Sequence, residues 1–209
     1  MQHKLLAREI TEYISSLLLI VLDPRRLIED RVIAKIPNIL LGLITMLLFS
    51  VAKYQVVSGI IMFKTLKMLV TLFPQYSFLT YYASYVNAWG VFLGVLVDLL
   101  LLLSFTLLFY SGIRLLGIRH SFTSSLTITS YSWIADVVVV VAGLIALPLD
   151  IISSALILVI ALIVSILLKA FIVMNAYVAV FNTRWINVFA VFTITIIILG
   201  LIIIGVIMV

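Results

Sequence analysis

The 209-residue chain contains no cysteine, two histidines, four prolines and few charges, since Asp, Glu, Lys and Arg together make up only 10% of it. Without cysteine there is no disulfide, iron–sulfur cluster or thiol nucleophile. With His3 and His120 as its only histidines, the sequence has no cluster of metal-ligand spacing. A soluble globular domain is about 25% charged and about 45–50% apolar. This chain is 66% hydrophobic, too apolar to cover a core with a water-facing surface, and is expected to be an integral membrane protein. A cytosolic enzyme, a secreted module and a nucleic-acid-binding domain are excluded, because the net charge of +5 is scattered beside apolar segments rather than gathered on a basic stripe.

What is present is a series of apolar runs. Residues 4–22 place Leu6, Ile10, Tyr13, Ile14, Leu17, Leu18 and Val21 opposite Lys4, Arg8, Thr11, Glu12 and Ser15, the pattern of an amphipathic helix lying on the membrane surface. Glu9 and Glu12 stand where a signal peptide has its basic region, so this segment is expected to be retained. Pro24 ends the helix and begins a basic juxtamembrane turn, giving a cytoplasmic segment over residues 1–35. A five-span transmembrane domain is expected over 36–209, with spans at 36–52, 88–116, 123–147, 151–181 and 186–209, each able to cross about 30 Å of hydrocarbon. The fold class is therefore all-α, a polytopic membrane helix bundle with five transmembrane helices and an N-terminal amphipathic interfacial helix. The run 56–73 carries Lys64 and Lys67 on one face and is expected to lie at the surface or re-enter rather than span.

Orientation follows from the positive-inside rule. An inside N-terminus places Lys4, Arg8, Arg25, Arg26, Arg31, Lys35, Arg114, Arg119, Lys169 and Arg184 in the cytoplasm and leaves Lys53, Lys64 and Lys67 outside. The C-terminus then ends on the opposite side. The outer connection, 53–87, is read as the longest loop. It ends in Tyr76, Phe78, Tyr81, Tyr82, Tyr85 and Trp89, a composition of the interfacial aromatic belt that a ligand cage could also use.

Asp98, Asp136 and Lys169 fall inside expected spans, and a charge in hydrocarbon is costly enough to mark a functional site. Asp98 and Asp136 come at similar depth and could face one another, sharing a proton or holding a cation. They could equally join helices through hydrogen bonds to Ser104, Thr127, Ser130, Tyr131 or Asn175. Lys169 is expected near the cytoplasmic interface with its ammonium snorkelling. Gly90-x-x-x-Gly94 marks close helix packing, within one subunit or between two. No HExxH, P-loop or GxSxG motif occurs, so neither an enzyme nor a cofactor site is expected.

Leu22-Asp23-Pro24-Arg25-Arg26-Leu27 before the first span, Arg114-Leu115-Leu116-Gly117-Ile118-Arg119-His120-Ser121-Phe122 opening the third, and Ser130-Tyr131-Ser132 within it form an ordered pattern with Ala176-Tyr177 and Asn182-Thr183-Arg184-Trp185. In order and span count this pattern resembles the Yip domain family, five-span membrane proteins that interact with small GTPases, and their prokaryotic relatives. The chain departs from that family at Ile118, where a second glycine is frequent, and at Trp133, where a proline commonly follows. The resemblance implies a membrane-organising or partner-binding scaffold, and together with the charge bias it gives a candidate cytoplasmic partner or lipid face of Asp23, Pro24, Arg25, Arg26, Arg31, Gly117, Arg119, Lys169 and Arg184. Anionic lipid, other membrane proteins or a second copy are its expected partners, and nucleic acid is not. The alternative is a small transporter or channel subunit with Asp98, Asp136 and Asn175 as an intramembrane polar site.

Overall fold

The computed structural model describes residues 39–208. The expected interfacial helix, and with it Asp23, Pro24, Arg25, Arg26 and Arg31, lies outside the described residues. Within them the chain forms α1 (Ile39–Leu72), a short 3-10 turn (Pro74–Tyr76), α2 (Leu79–Leu115), α3 (Phe122–Tyr131), a second 3-10 segment (Ser132–Asp136), α4 (Val137–Ala146), α5 (Ile151–Phe181) and α6 (Trp185–Met208). With α3, the second 3-10 segment and α4 counted as one broken span, five helices are long and apolar enough to cross a membrane. This is a multi-pass helical membrane protein. Successive crossings place residues 116–121 and 182–184 at the end where α1 starts, and residues 73–78 and 147–150 at the other.

Two expected boundaries are corrected. The first span does not stop at residue 52 and 56–73 is neither re-entrant nor a separate surface helix, because α1 runs unbroken through both. The expected loop 53–87 shrinks to residues 73–78, since α2 begins at Leu79. The reason is that the lysines which argued for a boundary are satisfied from within. Lys64 Nζ donates to Ala146 O at 2.9 Å, to Leu149 O and to Ser154 Oγ at 2.6 Å. A cation among the carbonyls at the C-terminal end of α4 adds to their hydrogen bonding and meets the negative end of the helix dipole. Tyr81, Tyr85 and Trp89 are turned outward, as belt residues are.

Helix ends follow local rules. Ser121 caps α3 by accepting from Ser124 N at 3.1 Å, and Asp150 caps α5 by accepting from Ile152 N and Ser153 N, each at 2.9 Å. Gly117, with φ of 82°, follows the last turn of α2 in the left-handed region that only glycine enters freely.

Inner stripes at helical spacing hold the bundle together. Gly42, Met46, Ser50, Lys53 and Ile60 line one face of α1, and Asp98, Leu102, Thr106, Phe109 and Ile113 line one face of α2. The broken span is the most enclosed, with 61% of its apolar window buried. One apolar cluster, centred on Phe109, Ile128 and Tyr177, closes one end of the bundle, and another, around Ile60, Val139 and Leu158, closes the other. The Gly90-x-x-x-Gly94 pair is used inside the subunit. Both glycines face α1, and a Cβ at Gly94 would lie 2.5 Å from the Tyr54 ring.

Gly94→Ala should therefore destabilise the protein by about 1–3 kcal/mol, as overpacking does. Gly59→Ala, where a side chain meets open space, should be neutral or mildly stabilising; thermal unfolding of both variants in detergent checks the contrast. Hydrogen bonds from the Ser153 hydroxyl and backbone hold the exposed Asp150 carboxyl below its ordinary value of 3.8. Its contribution to stability is present above that value and is lost as pH falls through the lower folded value. Asp150→Asn should flatten that part of the acid-side loss, read as the difference between wild-type and variant unfolding from about pH 5 to about pH 3.

Candidate functional site

Asp98, Asp136 and Lys169 meet in the interior of the bundle, and Lys53 joins them. Lys53 Nζ lies 2.5 Å from Asp98 Oδ2 and 3.2 Å from Asp136 Oδ2. Lys169 Nζ lies 2.8 Å from Asp136 Oδ1 and 2.9 Å from Oδ2. The order Asp98, Lys53, Asp136, Lys169 alternates in sign, so the ionised quartet sums to zero. It draws one member from α1, one from α2, one from the broken span and one from α5. The Lys53, Asp98 and Asp136 side chains are 6%, 5% and 1% exposed. Lys169 is the most open, at 18%.

Neutral donors complete the site. Ser50 Oγ donates to Asp98 Oδ2, Tyr54 OH to Oδ1 at 3.2 Å and Trp133 Nε1 to Oδ2 at 3.1 Å. Ser165 Oγ donates to Asp136 Oδ1 at 2.5 Å. The ammonium groups also lie over aromatic faces, Lys53 4.4 Å from the Tyr54 ring centroid and Lys169 4.3 Å from that of Trp133. Charge-assisted bonds of this kind are the strong ones, and a buried ion pair offsets its desolvation only when its remaining hydrogen-bonding capacity is met.

The 3-10 segment at Ser132–Asp136 explains how one short stretch serves two acids. Side chains at i and i+3 eclipse in a 3-10 helix, so Trp133 and Asp136 point the same way, one toward Asp98 and the other toward the lysines. The approach to it is rich in hydroxyls that bond back to their own helix: Thr127 to Thr123 O at 2.8 Å, Ser130 to Leu126 O at 2.6 Å and Ser132 to Thr129 O at 2.6 Å. Such back-bonding bends helices.

Placement along the helices sets the depth. Lys53 is about 21 Å along α1 from Ile39 and about 16 Å from Lys64 at about 1.5 Å per residue. In a hydrocarbon layer about 30 Å thick the quartet lies near mid-depth, with Lys64 at one interface.

Several expectations change. Lys169 does not snorkel at an interface, because Asp136 holds it inside. Lys53 is not an outer-loop charge. The acids do not pair with each other directly but through Lys53, and four of the neutral partners expected for them, Ser104, Thr127, Ser130 and Asn175, do not serve. Ser104 is exposed, while Thr127 and Ser130 bond to backbone; Asn175 Nδ2 donates to Phe171 O at 2.9 Å, a turn and more beyond Lys169. Gly117, Arg119 and Arg184 are exposed together at the other end of α5, apart from Lys169. Sequence reasoning missed Lys53. The available signal was its place on the inner stripe of α1, in register with Met46, Ser50 and Ile60.

A cavity of about 330 Å³ adjoins the quartet, bounded by α1, α2, the 3-10 segment, α5 and α6. Comparison with protein-family models, curated proteins and solved structures gives no match. The fold and site thus define a class by geometry alone, a five-span helical membrane protein braced by a buried, charge-neutral quartet.

Lys53→Met should leave Asp98 without a counter-charge and cost about 3–5 kcal/mol. The double variant Lys53→Met/Asp98→Asn should recover a large part of that loss. Unfolding in mixed detergent–denaturant micelles measures both, and a double variant as unstable as the sum of the singles would contradict the pairing.

Proposed function

We propose that the chain is a Yip-like, non-enzymatic membrane scaffold that organises the bilayer or partner membrane proteins. The observation that carries this reading is the self-neutralised quartet, in which each carboxylate is occupied by an ammonium from another helix. Charges arranged this way fix helix positions and give the bundle a defined outer shape. A monovalent cation entering the site would have to displace a lysine. In this reading the N-terminus is cytoplasmic and the C-terminus is on the opposite side. Arg119 and Arg184, with Gly117, form a face for anionic lipid, for other membrane proteins or for a second copy; the basic turn 24–35, expected on the same side, lies outside the described residues.

The competing reading is a proton or cation path through Asp98 and Asp136, favoured by the cavity beside them. Proteoliposomes under an imposed proton or potassium gradient separate the two. The scaffold reading predicts flux equal to protein-free liposomes, unchanged by Asp136→Asn. Flux above that background, lost in folded Asp136→Asn, would replace it with transport.

A further inference from the structure

The cavity beside the quartet has a polar floor, apolar walls and a mouth at membrane depth. Lys169 and Asp136 lie at the floor, and Phe105, Phe192 and Leu162 are among the walls. Ile166 and Ile196 also line it, although they are 61% and 46% exposed on the outside of the bundle. The opening therefore faces sideways, where the hydrocarbon lies. Ile166 is within a turn of Lys169 on α5, so the mouth lies near the depth of the quartet. A site entered there is reached by molecules dissolved in the bilayer.

The floor selects the polar group. An ammonium has three N–H donors. Those of Lys169 meet the two oxygens of Asp136, and among the described residues no other acceptor lies within hydrogen-bond distance. The remaining donor has no oxygen partner: the ammonium rests over the Trp133 ring, 4.3 Å from its centroid, and a ligand oxygen would compete only with that contact. The quartet is already neutral, so an anionic head would add a negative charge next to Asp136 and Asp98 without a spare cation to match it. A neutral carbonyl oxygen fits. Ester carbonyls of bilayer lipids lie at the interface, about 15 Å from mid-depth, which leaves an apolar molecule that carries its carbonyl into the hydrocarbon. Phe105 and Phe192, 5.7 Å apart and edge to face, provide ring surfaces for a flat head. The volume is at the small end of the range for ligand sites.

We propose that this cavity binds the head of a prenylated quinone-type ring, with one ring carbonyl accepting a hydrogen bond from Lys169 and the isoprenoid tail leaving through the mouth between Ile166 and Ile196. The site involves binding only and does not depend on the scaffold reading. The test uses the full chain in lipid nanodiscs with a photoactivatable decyl-benzoquinone carrying a diazirine on its tail, and peptide mapping of the label. Expected are saturable labelling on α5 and α6 near the mouth, competition by unlabelled decyl-benzoquinone but not by diacylglycerol, and a drop of about tenfold or more, the loss of roughly one strong contact, in Ile166→Trp and in Lys169→Met. Ile166→Trp blocks the mouth while keeping all four charges, so it remains informative if Lys169→Met fails to fold. Labelling that does not saturate, that persists undiminished in Ile166→Trp, or that diacylglycerol displaces equally well would overturn the proposal. Liposome flux does not bear on it, so the two readings fail separately.

Discussion

Hydrocarbon does not tolerate an unpaired charge, and the architecture of this protein is arranged around four of them. Each of Asp98, Lys53, Asp136 and Lys169 would be expensive alone at mid-depth. As an alternating chain they cancel, and the hydroxyl, phenol and indole donors around them take up the remaining acceptor capacity. Because the members come from four different spans, the pairing specifies which helices are neighbours and in what rotation. Apolar packing above and below the layer cannot do this as sharply, since lipid tails are as apolar as the side chains that face them.

The local structure serves that layer. Gly94 lets α2 approach Tyr54 on α1 closely, which brings the phenol within reach of Asp98. The Ser/Thr-rich approach on α3 leads into the 3-10 turn that aligns Trp133 with Asp136. Across the α2–α3 contact, the Thr106 and Thr129 hydroxyls bond at 2.7 Å. At the far end, Lys64 ties α1 to the turn between α4 and α5. This lets a helix of 34 residues carry a lysine through a bilayer interface without breaking.

The fold class was legible in the sequence because composition and run length reflect each residue's own transfer free energy. Asp98 and Asp136 were legible for the same reason, as acids in otherwise apolar runs. What escaped was pairing. Lys53 reads as the end of an apolar segment when residues are scored singly, and Lys169 reads as a snorkelling cation when only its distance from a span end is counted. The partners that reverse both readings lie far away in sequence, Asp98 on α2 and Asp136 on the broken span. Lys64 misled in the same way, its acceptors being carbonyls of a turn more than eighty residues on. Asn175 was drawn toward the acids because a polar residue in a span invites a polar partner, whereas a carbonyl of its own helix satisfies it.

The two intramembrane carboxylates are held against lysine ammonium groups. Solid-state NMR of the chain in lipid bilayers, with nitrogen-15 at lysine Nζ and carbon-13 at aspartate Cγ, measures that proximity directly through dipolar dephasing. N···O distances of 2.5–3.2 Å predict strong dephasing of two aspartate signals. The signal of Asp98 should lose it in Lys53→Met, and that of Asp136 should weaken in Lys169→Met. Aspartate signals that show no dephasing in a folded, membrane-inserted sample would contradict the quartet and the account built on it.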